Sequence, residues 1–227
     1  TITGNRVEHG IGGFSCNGLE FIVSNGTAHG EVYLSDSYFA DSPGDMFEEA
    51  NLGSGSTVIM EVDRVTARDT HQRGGAPDQG PIPFNIGECI LMGSNGSNNV
   101  TVLRVRDSDF SGCNNGLSML SGVAIGNALV GGLAPDGLID VEILNSHFRD
   151  NAFSNVVVGV VNGLRELRLK VENSDFSRAG TSAVALRKIY LGKVERALID
   201  FGGGELGSRG GNCIQYGAEQ DVLSEGF

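Results

Sequence analysis

The groups in this chain that can move protons recur at one position of a repeated phrase. In successive copies the residue before the closing apolar residue is Arg6, Tyr38, Arg64, Asp109, His147, Asp175 and Glu205. Asp109, His147 and Asp175 are the candidate catalytic residues. A histidine between two carboxylates can serve as acid or base. Two carboxylates can divide those roles in glycoside cleavage, or hold Ca²⁺ through oxygen ligands so that a lyase grips a uronate. Arg64 can neutralise a substrate carboxylate, and Tyr38 and Glu205 extend the surface as binding residues. A second group, Asp69, His71, Arg73 and Asp78, lies in one stretch. Its Gly74-Gly75-Ala76-Pro77 and Gly80-Pro81 mark an exposed, turn-rich loop. There His71 and Arg73 are the candidate substrate-binding residues. No residue set is assigned as a metal site.

The elements that must position these groups are strands. The phrase appears as Asp36-Ser37-Tyr38-Phe39, Asp107-Ser108-Asp109-Phe110, Asn145-Ser146-His147-Phe148 and Asn173-Ser174-Asp175-Phe176. A looser copy ends at Val65, and degenerate copies end at Val7 and Leu206. Recurrence at such intervals is the signature of a solenoid. Before each phrase apolar residues alternate: Val32/Leu34, Val58/Met60, Leu103/Val105, Val141/Ile143, Leu169/Val171 and Ile199/Phe201. Period-two alternation means a half-buried strand. The closing residues Phe39, Val65, Phe110, Phe148 and Phe176 form an inward column. A further apolar strand follows at Phe14/Cys16, Phe84/Ile86, Leu117/Met119, Val156/Val158 and Val184/Leu186. Two or three strands per turn with no helical period predict a parallel β-helix.

The same register predicts structural columns. Asp36, Asp107, Asn145 and Asn173 stack at a bend, where Asn and Asp tolerate unusual backbone angles. Arg104, Glu142, Lys170 and Asp200 alternate in sign and predict an ion-pair ladder across neighbouring strands. The proton-moving column has an ordinary alternative too, a solvated polar stripe, since outward positions of a soluble solenoid are polar. Asp45, Glu48 and Glu49 read as acidic surface, and His9 and His29 have no visible partner.

Composition narrows the functions. The 227 residues carry a net charge of -12, which disfavours nucleic acid and anionic membranes as partners. No run approaches a membrane span. The 35 glycines are about twice the usual share and suit a fold of many turns. Cys16, Cys89, Cys113 and Cys213 form no CxxC pair and read as buried small hydrophobes. Trp is absent and only four Tyr occur, among them the outward Tyr33 and Tyr38, a small platform for sugar stacking. Insertions at 68–83, 93–99 and 122–137 map to loops.

The V-x-N-S-x-F pattern with stacked parallel strands resembles the right-handed β-helix proteins of the pectate-lyase-like superfamily, over nearly the whole chain from Ile2 to about Tyr216. The polygalacturonase signatures Asn-Thr-Asp, Asp-Asp, Gly-His-Gly and Arg-Ile-Lys are absent, and Arg187-Lys188-Ile189 has a related composition in another order. The resemblance implies an all-β, single-stranded right-handed parallel β-helix solenoid of about seven coils. It spans 1–227 as a single domain and is expected to belong to a longer chain. It also implies an extracellular or cell-surface location and a polysaccharide partner, bound or cleaved as by a lyase or glycosidase, with Ca²⁺ as the cofactor to consider. The alternative is a non-catalytic structural or adhesive module, for which a homo-oligomer is the expected form.

Overall fold

The computed structural model describes residues 2–3, 6–8, 18–23, 27–42, 45–70, 88–94, 96–113, 117–121, 136–152, 154–160, 164–188, 194–215, 217 and 220–225. Among them there is no helix, and the strands form three parallel seven-stranded sheets. The first sheet contains β1 (Ile2–Thr3), β4 (His29–Ser35), β7 (Thr57–Asp63), β10 (Val100–Arg106), β13 (Leu138–Leu144), β16 (Leu164–Glu172) and β19 (Val194–Asp200). The second contains β2 (Arg6–Glu8), β5 (Tyr38–Ser42), β8 (Thr66–Thr70), β11 (Asp109–Ser111), β14 (His147–Arg149), β17 (Asp175–Ser177) and β20 (Cys213–Gln215). The third contains β3 (Leu19–Val23), β6 (Phe47–Asn51), β9 (Ile90–Ser94), β12 (Leu117–Ser121), β15 (Val156–Val160), β18 (Ser182–Lys188) and β21 (Gln220–Glu225). The chain visits the sheets in rotation, an arrangement consistent with a parallel β-solenoid.

A bend joins five of the first-sheet strands, β4, β7, β10, β13 and β16, to the second sheet. It requires one residue in the left-handed region, and Asp36, Arg64, Asp107, Asn145 and Asn173 occupy it with φ between 49° and 53°. Asn and Asp reach this region more easily than other side chains. The expected column forms: Asn173 Nδ2 donates to Asn145 Oδ1 at 2.9 Å, and Asn145 Nδ2 to Asp107 Oδ1 at 3.1 Å. Arg64 is an unusual occupant, and its guanidinium grips both oxygens of Asp36 one turn away.

The serine beside the bend turns inward. Ser108, Ser146 and Ser174 are nearly fully buried. Each hydroxyl donates to the carbonyl two residues back, at 2.7 Å to Arg106, 2.8 Å to Leu144 and 2.9 Å to Glu172. Each also accepts from the equivalent backbone N–H of the preceding turn: Val65 to Ser108, Ser108 to Ser146 and Ser146 to Ser174. These amides lie inside the bend, out of reach of water, and the hydroxyl supplies the partner they need.

The core lies between the sheets. Phe110 and Phe148 stack with ring centroids 4.7 Å apart, and Phe148 and Phe176 with centroids 5.5 Å apart. The looser third copy, however, is registered two residues later than its closing Val65 suggests. Phe39 pairs with Ala67, and Ala67 with Phe110. Val32 likewise pairs with Met60, and Leu34 with Val62. Val65 is still buried, but it takes the serine's place in the bend. A shift of two preserves which face is inward, so alternation alone could not detect it.

The last copy is displaced further. Phe176 pairs with Ile214, not Leu206. A glycine-rich segment separates Asp200 from Cys213, and Asp200 caps it by accepting from the amides of Gly202, Gly204 and Ser208 at 2.9, 2.9 and 3.0 Å. The Ser208 amide leads the contacts that hold this carboxyl below its usual range. Asp200 therefore leaves the expected charge ladder. Lys170 does reach Glu142 at 3.3 Å, while Arg104 pairs with Asp140 at 3.0 Å. Third-sheet strands follow Leu117, Val156 and Val184 as expected. The candidates Phe14/Cys16 and Phe84/Ile86 lie outside the described residues, as do most of the expected loops.

The cysteine reading is corrected at two positions. Cys89 and Cys113 form a disulfide with Cα atoms 5.6 Å apart, both fully buried. Cys89 enters β9 and Cys113 follows β11, so the bond ties adjacent turns that sequence spacing does not reveal. Replacing both by alanine is expected to cost about 3 kcal/mol, because the closed loop restricts the unfolded chain; urea unfolding of the double variant measures it. Ser146→Ala is expected to cost roughly 1–3 kcal/mol by stranding the Ser108 amide, read by the same assay.

Candidate functional site

In the short strands β11 and β14 of the second sheet the central Phe is buried, and the residue on either side of it is at least partly exposed. Register fixes the first column as Arg6, Tyr38, Thr66, Asp109, His147, Asp175 and Cys213. Tyr38, Asp109, His147 and Asp175 thus stand where the sequence puts them. Arg64 and Glu205 do not. Arg64 sits in the bend, held by Asp36 and Asp63. Glu205 sits in the segment after Asp200 and pairs with Arg196 at 3.3 Å. Asp69 lies within β8 at φ 60°, while His71, Arg73 and Asp78 lie outside the described residues, as does His9.

The second outward column supplies residues not expected from the sequence. Arg68, Ser111 and Arg149 are in register there, one row along from Thr66, Asp109 and His147. Arg149 donates to Asp109 Oδ2 at 2.8 Å, and Arg68 approaches the same oxygen at 3.7 Å. Two guanidiniums on diagonals thus balance one carboxylate. A sequence signal could have found them. The phrase closes on a second left-handed residue five positions after the first: Asp41, Asp69, Gly112, Asp150 and Arg178. Aligning Arg64-Val65-Thr66-Ala67-Arg68-Asp69 on that frame sets the true register and puts Arg68 beside Asp109.

His147 is the exposed member of the row, with 49% of its side chain accessible, against 19% for Asp109 and 23% for Asp175. Its Nδ1 lies 3.8 Å from Asp175 Oδ2, longer than a hydrogen bond. The Oδ1 atoms of Asp109 and Asp175 are buried without a hydrogen-bond partner among the described residues. This row can move a proton at His147 and oppose negative charge with Arg68 and Arg149. Among the described residues no group of three or more His, Cys, Asp or Glu side chains could hold a metal ion. Asp109 and Asp175 therefore have no third ligand of these types among the described residues with which to hold Ca²⁺.

Cys213 ends the row as a free thiol. Burial pushes its pKa up, and the charge and hydrogen bond of Asp175 push it further. Both influences favour the protonated thiol, the weaker nucleophile.

Other sequence readings change as well. His29 has a partner, Glu31, with Nε2 to Oε1 at 2.7 Å. Asp45, Glu48 and Glu49 are not surface: they are 4%, 3% and 0% exposed. Glu49 alternates with Phe47 and Asn51 on the inward face of β6, all fully buried. Burial, then the charges of Asp45 and Glu20, push Glu48 up to about 8.

Comparison with known proteins finds no family model, no curated protein and no solved structure that matches this chain.

Asp175→Asn is expected to speed alkylation of Cys213 at about pH 8, since it removes the charge that adds to burial in keeping the thiol protonated. Mass spectrometry of the Cys213 peptide over time measures it. An unchanged rate would show that Asp175 does not govern the thiol.

Proposed function

We propose that the chain is a right-handed parallel β-helix of about seven coils, similar to the pectate-lyase-like superfamily. In this reading it works outside the cell or at its surface and binds or cleaves a polysaccharide on the outer face of the second sheet. The observation that carries the reading is the unbroken row Asp109, His147, Asp175 on three successive strands, with Arg68 and Arg149 beside it. A row repeating at the ~4.8 Å strand spacing suits an extended polymer lying along the axis. Asp109 and Asp175 are two strands apart, a backbone spacing of about 9.6 Å, close to the upper limit of about 9.5 Å for an inverting pair and too far for a retaining pair. His147, between them and exposed, is the group placed to exchange a proton with a bound sugar. The buried Cys89–Cys113 bond supports the extracellular location, because such bonds persist in oxidising compartments.

A second reading is a non-catalytic structural or adhesive module. It is favoured by the closed pairing of Asp109 with Arg149, which resembles a cross-strand ion pair that only holds turns together.

The test is a turnover screen on neutral and uronate polysaccharides, scoring reducing ends and unsaturated products, with the His147→Ala and Asp109→Ala variants alongside. The first reading expects turnover lost by ~10²-fold or more on removing an acid–base group, with an unchanged unfolding curve. Full activity in both variants would sink the row as a catalytic site. Silence across the panel favours the module, which is then expected to form a stable oligomer by sedimentation.

A further inference from the structure

Glu49 is the most anomalous side chain in the interior. Its register partners are Phe21 and Met92, and the column runs on through Met119, Val158 and Leu186 to Ser224, with Glu49 its one acid. It is 0% exposed, and among the described residues neither Oε1 nor Oε2 has a hydrogen-bond partner. Among the described residues no cation is paired with it. From the first sheet the inward residues Val32, Leu34, Val58, Met60 and Val62 are apolar, and from the second so are Phe39 and Ala67. The adjoining β9 carries no titratable residue. Among the described residues, the titratable groups on the neighbouring strand β3 and in the segments entering β6 and β9 are acids. Glu20 on β3 is in register with Glu48, which adjoins Glu49 on the opposite face of β6. Asp45 and Glu88 lie in the segments entering β6 and β9, where the Glu88 amide donates to Asp45 Oδ1 at 2.8 Å.

We propose that Glu49 is a proton-operated latch: held as the neutral acid it fits the apolar column, and on ionising it loosens the β3–β6–β9 stack. An ionised carboxylate with no partner in an apolar interior is strongly disfavoured. Burial alone holds its carboxyl well above the usual range. The folded chain therefore binds more protons than the unfolded chain over that interval, so its stability is full at low pH and falls as pH rises. Glu48 adds to the same direction, its share being lost as pH rises from the ordinary 4.5 to about 8. The turns that hold this latch also carry Tyr38 and Arg68, so loosening acts at one end of the outer row.

The test compares urea unfolding of wild type, Glu49→Gln and Glu48→Gln between about pH 5 and about pH 9. In the wild type the unfolding constant is expected to rise about tenfold or more beyond the rise in Glu49→Gln, one pKa unit being tenfold. Infrared spectra near neutral pH are expected to show a protonated-carboxyl stretch that persists in Glu48→Gln and shrinks in Glu49→Gln. If Glu49→Gln does not fold, Glu49→Met, which copies the next turn, is expected to show the same flattened slope. Equal slopes in wild type and the Glu49 variant, or an infrared band that the variant leaves unchanged, overturn the proposal.

Discussion

The bend between the first and second sheets is the constraint on which the rest of the structure depends. A strand that turns sharply into the interior leaves an amide pointing into the bend, and that amide must be hydrogen-bonded. Ser108, Ser146 and Ser174 solve this by joining the amide of one turn to the carbonyl of the next through one hydroxyl. The residue before each serine takes the left-handed conformation, which Asp and Asn adopt at little cost. Geometry at the bend then sets the start of every second-sheet strand, and with it which residues face out.

The outer row follows from that. Three-residue strands such as β11 and β14 bury one Phe and expose one residue on each side. The stacked rings beneath fix the height of Phe110, Phe148 and Phe176, so Asp109, His147 and Asp175 repeat at the strand spacing above them. The row is therefore held by backbone register more than by its own contacts. Arg149 and Arg68 add diagonal bonds across turns, which can belong either to a binding surface or to the scaffold. Both readings of function remain tied to this one strip.

Much of this was legible in the sequence because the repeat is chemically strict where the bend demands it. Asn145-Ser146-His147-Phe148 and Asn173-Ser174-Asp175-Phe176 gave strand, bend and inward aromatic in one reading. Arg64 misled because it fills a position usually taken by Asp or Asn, its charge being met by Asp36 on the turn before. Glu205 misled because the glycine-rich segment after Asp200 inserts residues without breaking the alternation that precedes it. Arg68 and Arg149 were missed as neighbours of Asp109 because they meet it diagonally across turns, and only the second left-handed residue, Asp69 against Gly112 and Asp150, sets the register that brings them there.

What the sequence by itself determined was local: alternation that makes a strand, side chains that permit a left-handed bend, and a hydroxyl beside it. These are properties of a few consecutive residues, and they recur with the repeat. Tertiary structure decided everything that depends on which turn stacks on which. It joined Cys89 to Cys113, placed Cys213 beside Asp175, and drew Glu49 into the interior. Inward and outward are set by strand parity, but partners are set by register between distant segments. A slip of two residues leaves parity intact while exchanging every neighbour.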